Sequence, residues 1–249
     1  MSPSEPARPS LSQGFLAALP LFAAYEVGGF ARGADRARAA AEKALFLGGE
    51  FVGERLPLLR TAALLVLAAL AWWRVRRAVP DASPRGLARL VLTGILAGVL
   101  LGPVLVALQA WLGATPLGAA SEPRRTLLAV LRLVGAAPWE EALFRVALYG
   151  ALFLAVRRVA VFLGLVARAA QAVAELASVL GSAVLFAAFH LDGVKRELDL
   201  LGEPFHRGLF LWRISAGVLL AALFRWRGFG VSAWAHAVFN LGIALGIRA

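Results

Sequence analysis

Leu90-Val91-Leu92-Thr93-Gly94-Ile95-Leu96-Ala97-Gly98-Val99-Leu100-Leu101-Gly102-Pro103-Val104-Leu105-Val106-Ala107-Leu108 contains no charged residue. A helix needs roughly 20 apolar residues to cross the hydrocarbon core of a bilayer, and this run, extended to about 87–112, reaches that length. Comparable stretches lie at about 11–30, 58–73, 127–156, 171–190, 209–224 and 229–247. They are continuous rather than alternating, so the backbone must satisfy itself within helices and a membrane β-barrel is excluded. The expected fold is an all-α polytopic transmembrane helical bundle of about seven spans, with eight as the alternative. Composition agrees. AVILMFWYC make up 60% of the 249 residues, charged residues 16%, and mean hydropathy is +0.76. A water-soluble domain of this size needs more charge to cover its surface.

The net charge is +11, but its placement argues against nucleic acid as a partner. Arg74, Arg76, Arg77, Arg124, Arg125, Arg157 and Arg158 adjoin apolar runs, where they meet headgroups and set topology. Loop Lys and Arg are nearly equal on the two sides, so this rule does not choose an orientation. No cysteine is present, which removes disulfides, thiolate metal sites and thiol catalysis. Only two of the 26 basic residues are lysines, a bias that fits a GC-rich bacterial genome and hence a bacterial inner (cytoplasmic) membrane.

Three segments organise the chain. Residues 1–10 form a polar, Pro-rich tail expected to be disordered. Residues 11–125 hold N-terminal transmembrane helices, with an amphipathic interfacial stretch at 31–57. Residues 126–249 carry most of the ionisable groups set inside apolar helices. The stretch 159–190 is too long for one perpendicular span, so a short helix followed by a spanning helix from about 171 is expected.

An ionisable residue inside a span costs a few kcal/mol to insert, so such residues mark function by default. Pro138-Trp139-Glu140-Glu141-Ala142-Leu143-Phe144-Arg145 has three. Glu141 and Arg145, at i and i+4, share a helix face and can neutralise each other. Glu140 points about 100° away and lacks an evident partner on its own helix. Phe186-Ala187-Ala188-Phe189-His190 ends one span. His236-Ala237-Val238-Phe239-Asn240 puts His236 and Asn240 on one face of the last. A salt-bridged polar knot between helices is one reading. The other is chemical: a glutamate that takes a proton from water, with His and Asn donating to a developing oxyanion where bulk water is excluded.

Glu140-Glu141-x-x-x-Arg145, Phe186-x-x-x-His190 and His236-x-x-x-Asn240 together resemble the ordered motifs of the CPBP intramembrane proteases. That family includes the CAAX-processing endopeptidases and bacteriocin-processing or immunity-type proteins. The likeness spans about 127–247; the gap from Glu140 to His190 is rather long and suggests a helical insertion around 157–170. It implies an intramembrane endopeptidase whose candidate catalytic residues are Glu140, Glu141, His190, His236 and Asn240. Glu140 would activate water, His190 would position that water or Glu140, and His236 with Asn240 would hold the oxyanion. Glu141 with Arg145, and Phe186, would support them. The favoured mechanism needs no cofactor. Zinc is the alternative, on Glu140, His190 and His236 with an open position, against which Asn240 is a poor zinc ligand.

The chain has no Gly-x-Gly-Asp for an aspartyl intramembrane protease and no Gly-x-Ser-x-Gly for a serine one. His206 is expected to be solvated or interfacial. Tyr25 and Glu26, in the first span, read either as a polar contact to Arg132 or another buried base, or as a substrate-recognition or supporting pair. This feature is similar to the sorting-type members of the family, the myxosortases, which act on C-terminal anchors of a short motif, an apolar helix and a basic tail. The implied partners are a protein substrate with an apolar C-terminal or membrane segment, and the lipid bilayer. A non-catalytic membrane protein of the same fold, such as an immunity or scaffold protein, is the alternative. It would have no need of all four of Glu140, His190, His236 and Asn240.

Overall fold

The computed structural model describes residues 9–30, 40–46, 55–78, 84–114, 127–198, 200 and 202–245. Among these the protein is a bundle of helices, with no strand beyond an isolated bridge between Leu191 and Glu203. Helix α1 (Leu11–Phe30) starts at a reciprocal cap: the Gln13 backbone N–H donates to Ser10 Oγ, and the Ser10 N–H donates to Gln13 Oε1, satisfying two otherwise orphaned donors. A short α2 (Ala40–Leu45) precedes α3 (Leu56–Ala78) and α4 (Pro84–Trp111). Of the 31–57 stretch, only 40–46 and 55–57 are described, and there Ala41 and Glu42 are turned inward and fully buried.

Among the described residues, four helices are long and apolar enough to cross a membrane: α3, α4, α7 (Ala167–Ala188) and α9 (Arg207–Arg227). The outer faces of α3, α4 and α7 carry exposed Leu65, Val66, Leu96, Leu100, Leu176 and Leu180. A soluble fold would bury such rows, whereas a bilayer accommodates them. The chain is an integral membrane protein.

The run expected at 127–156 extends further. Helix α5 (Leu127–Glu141) passes directly into a π-helical segment, Ala142–Leu148, and then α6 (Tyr149–Phe162). The widened turn is closed by the Tyr149 N–H donating to the Phe144 carbonyl, five residues back. The short helix and insertion expected around 157–170 are not formed. Arg157 and Arg158 belong to α6, the chain turns at Leu163–Gly164, where Gly164 has φ +86°, and Arg168 already lies in α7. The long spacing between the first two motifs is therefore taken up by two extended antiparallel helices.

A five-residue helix, α8 (Asp192–Arg196), follows α7, and α10 (Phe229–Ala244) closes the described fold. His206, exposed, caps α9 by accepting from the Leu209 N–H at 3.5 Å. Helix α10 lies between α4, α5, α1 and α9. Its approach to α4 is set by small residues: a Cβ on Gly98 would stand 2.7 Å from the Ala235 carbonyl oxygen, and one on Gly94 would stand 2.5 Å from Trp234 Cβ. Backbone proximity of this kind supplies the van der Waals contact that holds helices together in lipid. It also fixes the depth and rotation of α10, and with it His236.

Candidate active site

Two consecutive carboxylates of α5 face one imidazole of α10. His236 Nδ1 lies 3.0 Å from Glu141 Oε1, and its Nε2 lies 3.6 Å from Glu140 Oε2. The roughly 100° between successive helical residues separates the two acids from each other, yet α10 passes between their directions, so both reach the ring. Glu141 is held on its other oxygen by Arg145 Nε at 3.4 Å, and both side chains are completely buried. A carboxylate paired with a guanidinium accepts hydrogen bonds, so His236 Nδ1 is the donor to Glu141. Nε2 then faces Glu140 at a separation too long for a direct hydrogen bond.

Burial separates the roles of the two acids. The Glu141 side chain is sealed, whereas that of Glu140 is 20% accessible. Trp139, next in sequence, anchors this turn in a cluster with Phe22 (ring centroids 4.9 Å), Phe46 (5.8 Å) and Tyr25 (6.1 Å). The π segment begins immediately after Glu141, and such widened turns occur mostly at functional sites. Arg145 lies within it, between the rings of Phe144 and Phe186 at 6.0 and 5.3 Å from guanidinium carbon to centroid, an arrangement that stabilises a desolvated cation.

Phe186 joins the second motif to the others. Its ring packs edge-on against Phe144 (5.2 Å), His190 (4.8 Å) and His236 (6.1 Å). His190 sits in the turn after α7, with Nδ1 2.8 Å from the Phe186 carbonyl oxygen. A carbonyl can only accept, so Nδ1 carries the proton and Nε2 keeps a lone pair. Asn240 Nδ2 donates to the Leu133 carbonyl at 3.2 Å, pinning α10 to α5 and leaving one amide proton for another acceptor. The three motifs, remote in sequence, are thus gathered around Phe186 and His236.

Among the described residues no group of three His, Asp or Glu side chains lies together in a way that could hold a metal ion. His236 Nδ1 and His190 Nδ1 are both directed at protein oxygens, which leaves the Nε2 atom of each ring for another partner.

Tyr25 and Glu26 lie outside this cluster, in a buried network of their own. Arg60 Nε and Nη2 reach the two oxygens of Glu26 at 2.7 Å each, Arg60 Nη1 pairs with Glu42, and Tyr25 Oη donates to Glu42 at 2.5 Å. The buried base expected opposite Glu26 is therefore Arg60. Tyr25 still touches the site's wall through Trp139. Other residues near the site carried no motif. Lys43 Nζ donates to the Leu198 carbonyl at 2.9 Å. Lys195 on α8 is half-buried, and burial lowers its ammonium below the ordinary lysine range while the nearby Glu140 charge opposes that shift. Arg213 on α9 pairs with Glu203. The sequence signal for each was a charge next to an apolar run, which reads equally well as a headgroup contact.

The fold and site define a helical membrane protein with a paired-carboxylate and histidine centre inside its bundle. Residues 122–242, about half of the chain and the part holding all three motifs, match the family model described as Type II CAAX prenyl endopeptidase Rce1-like. The match over this segment is consistent with a membrane protease of the CPBP family. No curated protein and no solved structure gives a match.

Proposed function

We propose that the protein is an intramembrane endopeptidase in which Glu140 activates water for attack on a peptide bond. The observation that carries this reading is the bracketing of His236 by a sealed Glu141 and an accessible Glu140. Glu140 takes a proton from water as the oxygen adds to the scissile carbonyl. The His190 Nε2 lone pair accepts the water's other hydrogen and aims its oxygen. The tetrahedral oxyanion is held by the second Asn240 amide proton and by His236 Nε2–H. For that, His236 must carry both protons, and the Glu141 carboxylate stabilises this imidazolium as a buried acid does in a hydrolase triad. When the C–N bond breaks, Glu140 returns its proton to the leaving amine, so protons balance without a metal.

The substrate is a protein with an apolar membrane or C-terminal segment, presented from the bilayer, and the host membrane is a bacterial cytoplasmic membrane. The sorting-type reading places the cut beside a C-terminal anchor. The test uses the purified protein in lipid nanodiscs, mixed with membrane extract in ¹⁸O-water. New C-termini carrying ¹⁸O are expected with the native protein and not with Glu140→Gln. Equal labelling with both would remove Glu140 from the reaction.

A further inference from the structure

His190 lies outside helix α7, in the short turn between α7 and α8, beside the isolated bridge of Leu191 to Glu203. Three links fasten this turn to Gly202 and Glu203, and a fourth contact ties Glu203 to α9. The His190 carbonyl accepts from the Glu203 N–H at 3.0 Å, and the Glu203 carbonyl accepts from the Asp192 N–H at 2.9 Å. Glu203 is thus laid alongside the histidine turn like one rung of a ladder. The Gly202 N–H donates to Asp192 Oδ1 at 3.3 Å. Arg213 then clamps the Glu203 carboxylate to α9, with Nη2 2.6 Å and Nε 3.1 Å from Oε2. Gly202 must be a glycine: a Cβ there would stand 2.4 Å from Asp192 Cα and 2.5 Å from its nitrogen. Such proximity permits no side chain without moving the histidine turn.

We propose that Glu203 and Arg213 are positioning residues for His190: the ion pair holds the Glu203 backbone, which holds the His190 carbonyl and so keeps Nδ1–H on Phe186 and the Nε2 lone pair free. This rests on the reading of His190 as a water-orienting group. Arg213 is nearly enclosed, with its side chain 10% accessible, while Glu203 is 35% accessible. Loss of the arginine therefore leaves a carboxylate that can still reach solvent, and the fold survives the substitution. A neutral histidine without this constraint can place its proton on either nitrogen.

The chain has three histidines, so ¹⁵N-histidine spectra of the protein in nanodiscs resolve the tautomer of each ring. The native protein is expected to show His190 protonated at Nδ1. Arg213→Met and, independently, Gly202→Ala are expected to shift it toward Nε2–H. They should lower kcat by about tenfold or more with KM within about twofold, as misplacement of a reacting group does. Arg213→Lys should restore most of both. If Arg213→Met and Gly202→Ala keep the native tautomer, the proposal is overturned, whatever their turnover. A shifted tautomer with native turnover would instead sink the assigned role of His190 while leaving the clasp in place.

Discussion

Glu141 holds His236 by Nδ1 at 3.0 Å and is itself held by Arg145, so the imidazole that faces Glu140 is oriented through a buried ion pair. This makes Glu140 and Glu141 unequal although they are adjacent. Glu140→Gln is expected to abolish turnover with native abundance and melting temperature, since the side chain is partly solvated. Glu141→Gln should lower kcat by about 10⁴-fold, the drop seen when the orienting acid of a hydrolase triad is neutralised, and should also lower stability. Turnover and thermal melting of the two variants, measured side by side, separate the roles.

Arg145 is the cation on which that orientation depends. Arg145→Ala leaves the Glu141 carboxylate buried without its guanidinium, beside His236 and Ser232, and breaking a buried pair from one side costs about 3–5 kcal/mol. Reduced abundance in the membrane and a lower melting temperature are expected. Arg145→Met with Glu141→Leu removes both charges and should recover abundance without activity. Native abundance of Arg145→Ala would show that its guanidinium does not stabilise the fold.

The N-terminal network makes a separate prediction. Arg60 pairs with both Glu26 and Glu42 across α1, α2 and α3. Arg60→Leu should destabilise the N-terminal helices by about 3–5 kcal/mol, detected as faster cleavage there by an added protease. Tyr25→Phe should cost about 1.5–3 kcal/mol for the lost hydrogen bond to a charged group. A null effect of Arg60→Leu on protease sensitivity would remove the network from the structural account.

The α4–α10 crossing links packing to chemistry. At Gly98 even a Cβ would meet the Ala235 carbonyl at 2.7 Å and Val238 Cβ at 2.7 Å, one residue before and two after His236. Gly98→Leu is expected to displace α10 and lower kcat at least tenfold while insertion into the membrane persists. Unchanged kcat would show that His236 is placed by α5 alone.

How much of this was readable in advance follows from the range of the interactions. The motifs were legible because helical periodicity is local: His236 and Asn240 fall on one face of α10 and both reach α5, and Glu141 pairs with Arg145 even through the π turn. The π segment itself gives no sequence signal, since it depends on packing around Phe144 and Phe186. Arg60 was obscured because an arginine near the end of an apolar run resembles a headgroup anchor; its partners are 34 and 18 residues away. Glu203 and Arg213 were obscured for the same reason, and the ladder to His190 uses backbone atoms, which no residue type announces.

The central claim is that Glu140 supplies the base of a peptide-bond hydrolysis. It is tested most directly by quantitative C-terminal profiling of membrane and secreted proteins in host cells carrying either the native chain or Glu140→Gln. The account predicts a small set of proteins with longer C-termini in the mutant, each cut within or beside an apolar segment. Identical C-termini, with Glu140→Gln present at native abundance and proteins bearing apolar C-terminal segments detected, would contradict it.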